Sequence, residues 1–438
     1  METVFDACES KVRSYCRAFP AVFTRAIGAT LFDETGRRYI DFLAGAGTLN
    51  YGHNNPRIRS RVMEYLHQEG IIHGLDMYTP AKRDFLQVLN TLILQPRNLD
   101  YKVQFPGPTG TNAVEAAMKL ARKYTNRTGI VAFTNGYHGM TAGSLAATGN
   151  EYHRKSPGCM AGNVTFMPYD GYFGPGVDTI TYLERFINDA SSGLDLPAAV
   201  LLETVQGEGG VNVAGFDWLR RLEALCRRHQ ILLIVDDIQA GCGRTGTFFS
   251  FTPAGIVPDI VTLSKSIGAY GLPLSLVLMK PELDCWEPGE HNGTFRGNNL
   301  AFVAAVEAFR LYWSDHRFNL SIGHKGHVLH RRLQTIARES ESFGVVARGR
   351  GMFAGLVFDR CPKAARLISR AAFERGLILE TCGGQDHVVK FLPPLTIEEN
   401  LLQEGLDITA QAVREVLERL GRNGPESLVD SEGEGAAA

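Results

Sequence analysis

The chain has 438 residues, 44% hydrophobic and 21% charged, with a formal net charge of -2. This is the make-up of an ordinary globular chain long enough for two or three domains, and it excludes disorder, collagen-like repetition and a disulfide-stapled miniprotein. No basic excess marks a nucleic acid or an anionic membrane as partner, and the longest apolar runs fall far short of the roughly 20 residues of a membrane span.

The first ten residues carry Glu2, Asp6 and Glu9 and no basic stretch followed by an apolar run, so they do not read as a signal peptide. Val22 to Phe42 has the pattern of a hairpin, with Asp33-Glu34-Thr35-Gly36 at its turn. From about Asp100 to Lys280, short apolar runs alternate with amphipathic helical patterns. Val103 to Phe105, Ile130 to Phe133, Ala198 to Leu202, Ile231 to Val235, Ile260 to Leu263 and Leu274 to Met279 predict strands. Asn112 to Tyr124 and Asp217 to Arg228 predict helices, the second capped by Asp217 or a neighbour. Continuously apolar strands separated by helices indicate a parallel sheet covered on both faces.

A helix starting near Leu300 and running past Tyr312 leads to a C-terminal part. There, strands are expected at Met352 to Phe358, Leu377 to Glu380 and Val388 to Leu392, and helices at Ala364 to Arg375 and Ile397 to Leu420. Residues 421–438, rich in Gly, Ser, Glu and Ala, predict a disordered tail. The expected division is therefore 1–60 and 301–420 as the two parts of a small domain, with a large domain at 61–300 between them. Eight cysteines with no Cys-x-x-Cys pair and no zinc spacing point to reduced thiols, a cytoplasmic setting and no metal site.

Four places carry chemistry. Asp236 ends an apolar strand, where parallel sheets bind ligands, although an acidic loop residue near solvent would look similar. Lys265 ends the Ile260 to Leu263 strand between Ser264 and Ser266; a buried lysine there has a lowered pKa and can form a Schiff base, whereas most lysines are surface residues. Phe105 to Asn112 is a small-residue loop between strand and helix, the place for a phosphate, or an ordinary turn. Asn135-Gly136-Tyr137-His138-Gly139 puts an aromatic ring at the next strand end, able to stack on a flat cofactor or simply to fill the core. Taken together, a phosphate cradle, a stacking ring, a buried acid and a Schiff-base lysine are the parts a pyridoxal phosphate enzyme needs.

From about Val22 to Leu420 the chain resembles the class III (ornithine and omega-amino acid type) aminotransferases of the fold type I pyridoxal phosphate superfamily. The most specific segments are Glu203 to Gly210 (ETVQGEGG), Asp236 to Gly246 (DDIQAGCGRTG) and Ser264-Lys265. Runs at Arg13 to Arg17, Leu49 to Asn54, Phe105 to Asn112 and Pro288 to Asn299 are similar to the diaminobutyrate-forming branch of that family. The resemblance implies an α/β fold of type I, a large domain with a mostly parallel seven-stranded sheet plus a small α+β domain. It implies pyridoxal 5'-phosphate as cofactor and small amino-acid, keto-acid and semialdehyde substrates.

By the same resemblance, Lys265 is the Schiff-base lysine, Asp236 pairs with the pyridine nitrogen and Gln239 with the phenolic oxygen. Gly110 and Thr111 bind the phosphate, Tyr137 stacks on the ring and His138 joins it at the cofactor. Thr294 reaches the phosphate of a neighbouring subunit, which implies a homodimer or higher homo-oligomer with shared sites. Glu208, Lys390, Arg296 and Tyr51 are expected at the substrate. Lys390 departs from the pattern, because many relatives have an arginine there that binds an α-carboxylate and otherwise pairs with the glutamate matching Glu208. Either the ammonium does this work or another cation, such as Arg296, takes over. The implied activity is a ping-pong transfer of the amino group of L-glutamate to L-aspartate 4-semialdehyde. Ornithine- or GABA-type transamination, or an aminomutase or decarboxylase reaction, are the alternatives. The 47 glycines, above the ordinary level of about 7%, then include many, such as Gly107, Gly110, Gly207 and Gly209, beside the expected cofactor.

Overall fold

The computed structural model describes residues 3–155 and 163–423. Its centre is a seven-stranded sheet in the order Lys102–Gln104, Leu276–Met279, Ile260–Leu263, Leu232–Asp236, Ala199–Leu202, Ile130–Phe133, Val164–Met167. Leu276–Met279 runs antiparallel to both neighbours and the remaining pairs are parallel. Every residue of the inner strands is buried, as continuous apolar runs under two helical layers require. Val164–Met167, which the sequence reading did not anticipate, is one of the two edge strands. Only its last residue is fully buried, so it has no continuous apolar run to give it away.

Helix Gly110–Thr125 presses Ala113, Val114, Ala117, Met118, Leu120 and Ala121 onto one face of the sheet, beside Ile130, Ala132, Leu201, Ile234 and Ile260. The other face packs Val131, Phe133, Leu202, Val235 and Leu263 against Trp218, Leu219 and Leu222 of helix Phe216–Arg228. At about 1.5–3 kcal/mol for each large apolar side chain buried, these two layers hold the strand ends in fixed register. Gly215 caps the second helix, and Asp217 lies inside its first turn, where a carboxylate favours the dipole.

Phe23–Ile27, Thr30–Asp33 and Arg38–Asp41 form a meander rather than a single hairpin. Asp33 closes the expected second turn by accepting from the N–H groups of Thr35 and Arg37 (2.9 and 3.0 Å). The stretch expected as one strand at Leu377 to Glu380 is divided between sheets. Leu377–Ile378 pairs with Arg38–Asp41, whereas Glu380–Cys382 pairs with Val388–Phe391 in a sheet that also contains Val346–Arg350 and Phe353–Val357. The helix expected to pass Tyr312 stops there, as Asn299–Tyr312, and a separate helix, Arg317–Glu339, follows. The last helix, Glu399–Asn423, takes in 421–423, and the rest of the expected tail lies outside the described residues. Among the described residues no helix is long and apolar enough to cross a membrane.

Candidate active site

The carboxyl ends of Leu232–Asp236, Ile260–Leu263 and Ile130–Phe133 converge on one crevice, where open α/β sheets bind their ligands. Lys265 leaves its strand end with φ 52, a left-handed backbone that a lysine adopts only when its surroundings impose it. Its Nζ donates to the carbonyl of Ala46 at 2.8 Å. Burial pulls the ammonium's pKa down, partly opposed by Glu208, which moves the group toward the nucleophilic amine.

Asp236 is 4% exposed and accepts from Thr262 Oγ1 and the Ile238 N–H, both at 3.2 Å. Its other oxygen meets His138 Nδ1 at 2.8 Å. Burial alone would lower the pKa of His138, but the hydrogen bond and charge of Asp236 outweigh it and raise it. The structure therefore places His138 on the acid, where it fixes the carboxylate's orientation. Glu203, also buried, accepts from the Tyr137 N–H (2.9 Å) and the Gly207 N–H (3.1 Å), tying two site loops together. Burial pushes its carboxyl up to about 7.

Gln239 Nε2 donates to Ala46 O (3.0 Å) and to Glu208 Oε1 (3.1 Å). A Cβ on Gly207 would come within 1.7 Å of Gln239 Oε1, so a larger residue there would displace the Gln239 amide. Lys390 is fully buried; its Nζ lies 2.6 Å from Glu208 Oε1 and 3.0 Å from Glu380 Oε1. Burial raises the Glu208 pKa, yet Lys390 and Lys265 outweigh it and hold the group down at about 2. At Glu380 burial dominates and raises it. The expected Glu208–Lys390 pair is present, and Glu380 is a site residue that sequence reasoning missed.

On the other side, Thr109 caps helix Gly110–Thr125, its N–H and Oγ1 both reaching Asn112 Oδ1 (3.2 and 2.8 Å). Thr111 Oγ1 bonds Thr141 Oγ1 at 2.7 Å and Ser144 Oγ at 2.5 Å. The Asn112 and Ala113 N–H groups donate to Thr109 O, while those of Gly110 and Thr111 have no partner within the helix, which suits an anion. A Cβ on Gly110 would lie 2.9 Å from Ile238 Cδ1, and one on Gly139 would lie 2.4 Å from Thr111 Oγ1. This is a cradle that larger residues would fill. With a strand-end acid, the half-buried Lys265 and the half-buried Tyr137 ring, it fits a phosphorylated pyridine.

Two expectations fare differently. Tyr51 is a core residue, not a substrate contact: it is 1% exposed, its hydroxyl accepts from Trp313 Nε1 at 2.9 Å, and its ring stacks on Tyr312. No described contact brings Thr294 or Arg296 to the Lys265 cluster of its own chain. Arg296 instead donates to Phe105 O at 3.4 Å and lines a cavity with Asp76, Gln104, Trp286 and His291.

The family model described as aminotransferase class-III matches residues 13–413. A diaminobutyrate–2-oxoglutarate transaminase from Bordetella parapertussis is 58% identical over 414 residues, 94% of this chain and 95% of that relative. Another from Halomonas elongata is 55% identical over 415 residues, 94% of this chain and 98% of that one. Among solved structures, the ornithine aminotransferase from Toxoplasma gondii superposes with a TM-score of 0.82 at 26% identity, covering 95% of this chain and 94% of that one. A second structure of that Toxoplasma enzyme, TM-score 0.80 and 27% identical over 94% of this chain and 92% of its own, is described with pyridoxal phosphate partly occupying its active site.

Proposed function

This chain belongs to the class-III aminotransferase family, and from that premise we propose that it moves the amino group of L-glutamate to L-aspartate 4-semialdehyde, giving 2-oxoglutarate and L-2,4-diaminobutyrate in two alternating half-reactions. The observation that carries the reading is the convergence of Lys265, Asp236, Gln239 and the Glu208–Lys390 pair on one crevice. The substrate pair is supported by relatives of that name at 55–58% identity along nearly the whole chain.

Pyridoxal 5'-phosphate, when bound, supplies the carbonyl that takes up the amino group and the protonated ring that draws electrons from the substrate carbon. Asp236, oriented by His138, would hold the ring nitrogen of the bound cofactor. Gly110 and Thr111 would hold its phosphate with first-turn N–H groups and a hydroxyl. Tyr137 would cover the ring of the bound cofactor, and Gln239 would donate to its phenolic oxygen. The amine of Lys265, when free, would carry the proton to and from the substrate carbon. Glu208 and Lys390 stay paired for substrates with no carboxylate at that point and part for glutamate. Purified holoenzyme given glutamate and aspartate 4-semialdehyde should yield diaminobutyrate and 2-oxoglutarate by mass spectrometry. Turnover only with ornithine- or GABA-derived aldehydes would replace the substrate assignment, and turnover with no external acceptor would replace transamination by an intramolecular reaction.

The active unit in this reading is a cytoplasmic homodimer. Ile71 (52% exposed), Met77 (57%), Tyr78 (100%) and Phe295 (66%) leave large apolar side chains open, the kind of surface that a partner subunit covers. His73 packs against Phe295 at 5.2 Å, and Phe295 lies in sequence between Thr294 and Arg296, which serve the partner's site in this reading. The seven cysteines among the described residues are free thiols, in keeping with a reducing compartment. Chains carrying Lys265→Ala and chains carrying Arg296→Ala, inactive or impaired at least about tenfold as separate homodimers, should regain turnover when co-expressed, since each mixed dimer holds one intact site. Mixed dimers no better than their parents would rule out the shared site.

A further inference from the structure

Lys390 carries more negative charge around it than a two-partner switch requires. Glu380 lies directly across from it in the antiparallel pair of Glu380–Cys382 and Val388–Phe391, so strand register fixes both residues. The Glu380 side chain is 7% exposed, whereas that of Glu208 is 28% exposed and sits on a loop between Gly207 and Gly209. Tyr15, from the N-terminal segment, donates to the second Glu380 oxygen at 3.4 Å. One carboxylate can therefore move away and the other cannot. A buried ammonium left with no counter-ion costs far more than one that keeps a partner.

We propose that Glu380 is a specificity-determining residue: it is the permanent counter-ion of Lys390, letting Glu208 leave and setting how strongly Lys390 attracts the α-carboxylate of the amino donor. The proposal rests on the transaminase reading above. With Glu380 in place, Lys390 is never bare when Glu208 departs, so opening is easy. Its field on an incoming carboxylate is also partly cancelled, so glutamate is held loosely and 2-oxoglutarate leaves readily. Substrates with no carboxylate there meet a closed Glu208–Lys390–Glu380 cluster and are indifferent to the balance.

The test is glutarate binding to the holoenzyme by calorimetry, together with KM for each half-reaction, in Glu380→Gln and Glu380→Asp. Glu380→Gln should bind glutarate about tenfold more tightly and lower KM for glutamate to a similar extent, the stronger pull of Lys390 on an incoming carboxylate exceeding the added cost of parting Glu208, while KM for diaminobutyrate does not share the shift. Glu380→Asp should return toward wild type. Glutarate binding that is unchanged or weaker in a folded Glu380→Gln enzyme, or equal KM shifts for both amino donors, would overturn the proposal. Should Glu380→Gln fail to fold, Tyr15→Phe decides the matter. With that donor gone, Glu380 holds Lys390 more strongly and glutarate binding weakens by about twofold, whereas unchanged or tighter binding refutes the counter-ion role. If the wild-type holoenzyme does not react with glutamate at all, the transaminase reading fails, and the glutarate titration still decides the role of Glu380.

Discussion

Lys265→Ala is expected to abolish both half-reactions, with turnover falling by at least about 10⁴-fold. One amine performs two tasks, forming the covalent link to the cofactor and moving the proton at the substrate carbon, so neither survives its removal. The site itself should persist, because Lys265 contributes one hydrogen bond to Ala46 O and sits in a left-handed backbone that alanine tolerates no worse. Borohydride reduction followed by peptide mass spectrometry should find a pyridoxyl group on Lys265 in the wild type and none in the variant, while the two melt at similar temperatures. An adduct on another lysine, or residual turnover above about one per cent, would remove Lys265 from its role. Lys265→Arg should be just as inactive, since guanidinium keeps the charge but offers no neutral amine near neutral pH.

How much of this was legible in the sequence depended on distance along the chain. Lys265 and Asp236 stand at the ends of apolar strands with sharp local patterns, and both were found where expected, as were the parallel sheet and helix Gly110–Thr125. The Glu208–Lys390 pair was expected from resemblance and is formed at 2.6 Å. Glu380 was missed because nothing local says that the chain leaves one sheet after Ile378 and joins another at Glu380. A lysine inside the apolar run Val388 to Leu392 was the available signal: a buried ammonium asks for all of its counter-ions, and one glutamate did not have to be the full answer. Tyr51 was misjudged for the opposite reason. It neighbours motif residues in sequence, but its partners Trp313 and Tyr312 lie on a distant helix end, so its burial is a tertiary fact. The edge strand Val164–Met167 was missed because sheet edges need no uninterrupted apolar pattern.

Replacing Lys390 with methionine should destabilise the enzyme by about 3 kcal/mol near pH 8. The shape is nearly preserved, so the loss is electrostatic: Glu208 and Glu380 are left facing one another with no cation between them. The lower end of the usual cost applies because Glu208 retains partial access to solvent. In the wild type, Lys390 and Lys265 hold Glu208 down at about 2, so its stabilising contribution is present above the ordinary carboxylate range and is lost as pH falls toward that value. Without Lys390 the direction reverses. Both carboxyls then titrate above their unfolded values, so the folded variant keeps stability at acid pH and loses it as pH rises through those raised values. The melting-temperature gap to wild type should thus be small at pH 5 and widest at pH 8. The same variant should impair the half-reaction with glutamate more than that with diaminobutyrate, because only glutamate presents a carboxylate to Lys390. A gap that does not change with pH would show that Lys390 is not what holds the Glu208 carboxyl down. Equal impairment of both half-reactions would remove Lys390 from the recognition of glutamate.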